Sequence, residues 1–162
     1  MAEMLDRLHG VAYLLGALAH ASEKNLGQSS HSICMLAGKK FGREAVQDVQ
    51  HTDDPVKAVE LLRQALEKRG IVWDFRPFKG ERDQLIENRD GTEVMRLTFN
   101  TCMVRNALFR YAHEQKESLC YMAHGVFAGA MEKVMPDKKV HLEILHAGPN
   151  ACLKEMILED KG

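Results

Sequence analysis

From Leu119 the chain runs for more than three helical turns without a proline or a charged residue, and a helix is expected over Leu119–Met135 with Ser118 at its N-cap. Gly125 and Gly129 stand four residues apart, so they share one helix face on which another element can approach the backbone closely. That neighbour is expected to be a sheet or a second subunit. Downstream, Val140–His146 and Cys152–Leu158 flank a turn at Gly148-Pro149-Asn150 and read as a terminal hairpin.

The upstream chain supplies the remaining layers. Asp54 is placed to cap a helix that starts on Pro55 and stops at Gly70, with Val56, Val59, Leu62, Ala65 and Leu66 as its buried stripe. Before it, Ile33, Leu36, Ala37, Phe41, Ala45 and Val49 recur at helical spacing after a cap at Ser29 or Ser30. After it come extended segments at 71–78, 84–87 and 92–99, the last following a hairpin signal at Asp90-Gly91. Pro77 marks the first of these as an edge strand or its end. A further helix is expected from Cys102 through Val104, Leu108, Phe109 and Tyr111. The expected fold is a single α+β domain, a small antiparallel sheet packed against several helices over residues 1–162, with an N-terminal helical segment.

A net charge of −1 over 162 residues, without a basic block, gives no electrostatic footprint for nucleic acid. The apolar run Val11–Ala19 is too short to span a bilayer, whose hydrocarbon core is about 30 Å thick. Glu3 and Asp6 ahead of it argue against an export signal. A cytoplasmic protein is expected, in which the four cysteines are thiols or metal ligands rather than disulfides.

Cys120, Glu143, His146 and Cys152 are the sulfur, oxygen and nitrogen donors that Zn²⁺ tolerates in a tetrahedron, although their spacing matches no zinc-finger pattern. On a regular strand Glu143 and His146 point to opposite faces, so they converge only if the strand bulges or ends between them. Four protein ligands would close the site and make it structural; displacement of Glu143 by water would open it to metal-assisted chemistry, with His124 or Glu155 as acid/base partners. Cys102 and His113 could be read as nucleophile and base. No phosphate-binding glycine loop or dinucleotide fingerprint accompanies them.

A cysteine opening a small-residue helix, then a glutamate, two residues, a metal ligand, a glycine and a final cysteine resembles the 4-vinyl reductase domain family. Its members include stand-alone archaeal proteins described as hydrocarbon-binding and the sensor domains of bacterial activators that respond to aromatic compounds. The resemblance covers Thr98–Leu158 and, more faintly, Leu36–Gly42 with its two glycines. It implies a zinc held by Cys120, Glu143 and Cys152, with His146 where the sensors carry a cysteine. It also implies a cavity for a small apolar or aromatic molecule and a homodimer. Trp73, Phe99, Met103, Tyr121, His124 and Phe127 are the candidate cavity residues. The expected function is a zinc-containing binding or sensing module acting through a dimer or a partner. The alternatives are a metal-dependent enzyme on a hydrophobic substrate, or a scaffold subunit like the trafficking-complex relatives of the fold.

Overall fold

A computed structural model describes residues 2–79, 84–105 and 115–162. In chain order its elements are α1 (Ala2–Leu26), α2 (Ser29–Ala45), α3 (Pro55–Lys68), β1 (Asp74–Pro77), β2 (Ile86–Arg89), β3 (Thr92–Thr101), α4 (Ser118–Val134), β4 (Lys138–Ala147) and β5 (Cys152–Asp160). The strands form one antiparallel sheet in the order β1-β3-β5-β4, with β2 also paired to β3. The architecture is the α+β arrangement expected. No helix among the described residues is long and apolar enough to cross a membrane. The helix expected beyond Val104, with Leu108, Phe109, Tyr111 and His113, falls outside the described residues.

Local signals account for several elements directly. The Asp54 carboxylate accepts from the Val56 and Lys57 N–H groups, satisfying two donors that the first turn of α3 leaves unpaired. Gly70 stops that helix at φ 75°. Asp90 and Gly91 both take positive φ, 53° and 85°, as a two-residue hairpin loop matched to strand twist requires. The proline in β1 is tolerated because β1 is an edge strand that ends there.

Two caps differ from expectation. Gln28, not Ser29 or Ser30, occupies the N-cap of α2, and Ser30 instead donates to Gly27 O. Glu117 is the N-cap of α4, and Ser118 sits inside its first turn. There the Glu23 carboxylate of α1 accepts from both Ser118 N–H and Ser118 Oγ, so a distant acid does the capping and ties α1 to the start of α4.

The glycine face of α4 meets neither the sheet nor a second subunit; it meets α2. A Cβ on Gly125 would collide with Met35 O, and one on Gly129 with Lys39 O. Reciprocally, a Cβ on Gly38 would strike Met122 O, and one on Gly42 would strike Val126 O. Four glycines therefore let two helix backbones touch. Lys39 and Arg43 of α2 close the crossing on Glu132 of α4 at 2.7 and 3.1 Å. Burial alone would raise the Glu132 carboxyl, but these cations and the Val140 N–H hold it below the usual carboxylate range.

With glycines turned inward, the first part of the apolar stripe expected for α2 faces out: Ile33, Leu36 and Phe41 are exposed, as are Val11, Leu14 and Leu18 of α1, while Ala45 and Val49 pack into the core as expected. The core lies on the other side of α4. Phe127, Met131 and Val134 of α4 and Val59, Leu62 and Leu66 of α3 pack with Met95, Leu97, Met156 and Leu158 on the inner face of the sheet.

Candidate ligand-binding site

Of the six residues expected to line a cavity, three are filled core. Trp73, Phe75, Phe99 and Phe127 pack ring against ring with centroids 5.3 to 6.2 Å apart, each at most 3% exposed. Among the described residues the buried Trp73 indole N–H has no hydrogen-bond partner. Met103 lies half-buried against this cluster. Tyr121 faces the opposite side of α4, stacked on His31 of α2 at 4.3 Å in a shallow open groove with Met35 and Leu36.

Among the described residues a cavity lies elsewhere, between the first turns of α4 and the β4–β5 end of the sheet. It measures about 20 Å³, room for about one water, and its apolar walls include Val104, Ala123, Ile144 and Ala147. Three thiols border it, Cys102, Cys120 and Cys152, together with Gln115 and three basic side chains, Arg105, Lys116 and Lys154. No carboxylate of the described residues lines it.

Strand parity puts Lys154 there. On β5 the inward positions are Cys152, Lys154, Met156 and Leu158, so a lysine occupies a place otherwise apolar. It is 4% exposed, and its Nζ lies 3.0 Å from His124 Nε2 and 4.5 Å from the centroid of the Phe99 ring. Burial pushes the Lys154 amine down from the ordinary lysine range, against the nearby thiols, which favour its charged form. Burial, with Lys154 beside it, drops His124 to about 3, so its imidazole is neutral at physiological pH. Burial also raises the Cys120 thiol, although the Lys116 N–H points at its sulfur from 3.4 Å.

Arg105 is the second buried cation. Its guanidinium donates to Phe99 O, Asn100 O and Asn150 O and touches Cys152 Sγ at 3.3 Å, binding the end of β3 to the β4–β5 turn. Neither Arg105 nor Lys154 was singled out from sequence. For Lys154 a signal existed in the two-residue alternation of Cys152, Met156 and Leu158; for Arg105 none did.

Of the four expected metal ligands, the structure brings two together. Cys120 and Cys152 border the same cavity. Strand β4 does shift register between Ile144 and His146, and this bulge places Glu143 and His146 on one face. It is the outer one. Glu143 pairs across the strands with Glu155 and His146 with Leu153, whereas the cavity-lining Ile144 and Ala147 pair with Lys154 and Cys152. Glu155, on that outer face, is held by Arg89 and Arg96, whose bonds keep its carboxyl below the usual range. It is therefore separated by the sheet from His124, and the two cannot act on one substrate. Among the described residues no three histidine, cysteine or acidic groups are clustered to hold a metal ion.

The fold has a solved counterpart. The crystal structure of the phenol-responsive sensory domain of the transcription activator PoxR with phenol superimposes with a TM-score of 0.60, over 91% of this chain and 73% of that one. The two sequences are 14% identical, so the likeness is one of fold. No family profile matches the chain, and no curated protein does.

Proposed function

We propose that this chain is a non-catalytic module of the 4-vinyl reductase type that binds, and so senses, a small apolar or aromatic molecule in the cavity between α4 and the β4–β5 end of the sheet. The observation that carries the reading is the wall of that cavity: apolar side chains and thiols, with two buried basic groups converging on it. The PoxR sensory domain, described with phenol, supports it by giving the same fold a ligand-responsive use.

The free cavity is the size of about one water, so a ring-sized ligand must widen it. Among the lining residues Lys116 is exposed, whereas Arg105, Ala123 and Lys154 are buried. Ligand binding to the native state alone raises the melting temperature, by about 2.7 kcal/mol of stabilisation at a hundred times Kd. A thermal-shift screen of phenols, fatty acids, isoprenoids and tetrapyrrole precursors tests this. Stabilisation by one chemical series, lost when Ala123 is enlarged to Phe to fill the cavity, is the expected result. No stabilisation by any series leaves scaffolding as the better account.

Zinc enters this proposal only through sulfur. Cys120 and Cys152 border the cavity with Cys102, whereas Glu143 and His146 would have to turn over to the inner face. The proposed homodimer or partner contact moves from the α4 glycines, which α2 covers, to the exposed apolar side chains of α1 and α2. Sedimentation of the whole chain at micromolar concentration, with Leu14→Asp as the dissociating variant, tests that placement.

A further inference from the structure

We propose that α1 is the output element of this domain, docked on the first turn of α4 while the cavity is free and loosened when the cavity is filled. This inference rests on the small-molecule reading above and adds how occupancy leaves the site. Val104 and Cys120 are walls of the cavity. The same two side chains pack against a second, smaller apolar cluster made by Ala19 of α1 and Leu119 of α4, both buried. One layer of side chains thus has the ligand space on one side and α1 on the other. One turn along α1 from Ala19, the Glu23 carboxylate accepts from Ser118 N–H and Oγ. It satisfies a donor that the helix start leaves unpaired and meets the positive end of the helix dipole, so it ties α1 to the turn that carries Cys120. The start of α2 is tied to the same turn, with His31 Nε2 2.8 Å from Glu117 Oε2 and its ring stacked on Tyr121.

The frame around the cavity decides which wall gives way. The sheet wall is held by the pairing of β5 with β3 and β4, and by Arg105, whose guanidinium binds three carbonyl oxygens. From Met122 onward α4 lies backbone against backbone on α2. The first turn of α4 precedes that crossing. It follows Lys116, a cavity-lining residue at φ 70°, a left-handed conformation that strains a residue other than glycine. A space of about 20 Å³ must open to take a ring, and close-packed walls transmit the displacement. The turn therefore moves outward, against Ala19 and the Glu23 cap. Ligand binding and docking of α1 then oppose each other, and each weakens the other by the same factor. Val11, Leu14 and Leu18, exposed on α1, pass the change to the contact placed on that helix above.

The test is amide hydrogen exchange of the whole chain, followed at residues 15–25 of α1 and, as the internal reference, at residues 62–66 of α3. Ala123→Phe fills the cavity from α4 and Ala147→Leu fills it from β4, whereas Glu23→Ala removes the cap and leaves the cavity as it is. The expected result is protected α1 amides in the unaltered chain and at least tenfold faster exchange there in all three variants, with α3 changed by no more than about twofold. If Ala123→Phe does not fold, Ala147→Leu decides. Unchanged α1 exchange in the filled variants, or a rise shared equally by α3, overturns the coupling. Unchanged exchange in Glu23→Ala overturns the cap as its route, and unprotected α1 amides in the unaltered chain overturn the docking itself. These variants contain no ligand, so the outcome stands apart from the small-molecule reading, which fails separately if the thermal-shift screen finds no stabilising series.

Discussion

Replacing Gly125 by alanine tests whether α2 and α4 touch backbone to backbone. In an exposed helix the change is favourable, because alanine has about 1 kcal/mol better helix propensity than glycine. Here the new methyl would run into Met35 O and come within 3.0 Å of Gly38 Cα and Lys39 N, all main-chain atoms that cannot rotate away. Overpacking of this kind costs about 1–3 kcal/mol, and rigid neighbours put it at the upper end. The net loss is then about 2 kcal/mol, which for a domain of this size lowers the melting temperature by roughly 4–8 °C. Gly10 in α1 is the control, since nothing lies within 4 Å of a Cβ built there. Gly10→Ala should hold or raise the melting temperature. Calorimetric melts of both variants, with circular dichroism to confirm unchanged helix content, decide the matter. A Gly125→Ala protein as stable as Gly10→Ala would refute the close crossing.

Three further outcomes follow from the same geometry. His124 is held near 3 when folded and titrates near its ordinary 6.5 when unfolded, so the unfolded chain binds the extra proton and stability falls as pH drops from 6.5 toward 3. His124→Leu should flatten that limb relative to the parent in melts across pH. Glu132→Gln removes the anion that Lys39 and Arg43 share across the helix crossing and should cost about 1.5–3 kcal/mol in chemical denaturation; no change would show the pair to be idle. Whatever thiophilic metal the purified protein holds should be lost in Cys120→Ser and Cys152→Ser by elemental analysis, and kept in Glu143→Ala and His146→Ala, whose side chains lie on the far face of the sheet.

The elements were legible where chemistry is local. Asp54-Pro55 with Gly70, Asp90-Gly91 and the order of α4, β4 and β5 follow from caps, turns and period alone. What sequence misjudged is orientation. In α2 the apolar stripe predicts the buried face correctly at Ala45 and Val49, but before them Gly38 and Gly42 take that face and Ile33, Leu36 and Phe41 turn out, because a backbone contact with α4 leaves no room for a side chain. The same reason removes Gly125 and Gly129 from a dimer contact. In β4 the bulge needed to bring Glu143 and His146 together is present, but pairing with β5, which no reading of β4 alone contains, fixes which face they share. Trp73, Phe99 and Phe127, cavity candidates by sequence, form core, because Phe75 and Phe99 sit in register on neighbouring strands and Phe127 fills the gap between them. Lys154, a single polar residue in an apolar alternation, was the overlooked signal.

The central claim is that ligands enter the space between α4 and the β4–β5 end of the sheet, and amide-resolved NMR titration with phenol and with benzoate measures it most directly. Shifts concentrated at Cys102, Ala123, Ile144, Ala147, Cys152 and Lys154, saturating with a single affinity, are the expected result. Shifts confined to Ile33, Leu36 and the exposed side of α1, or none up to millimolar ligand, would contradict it.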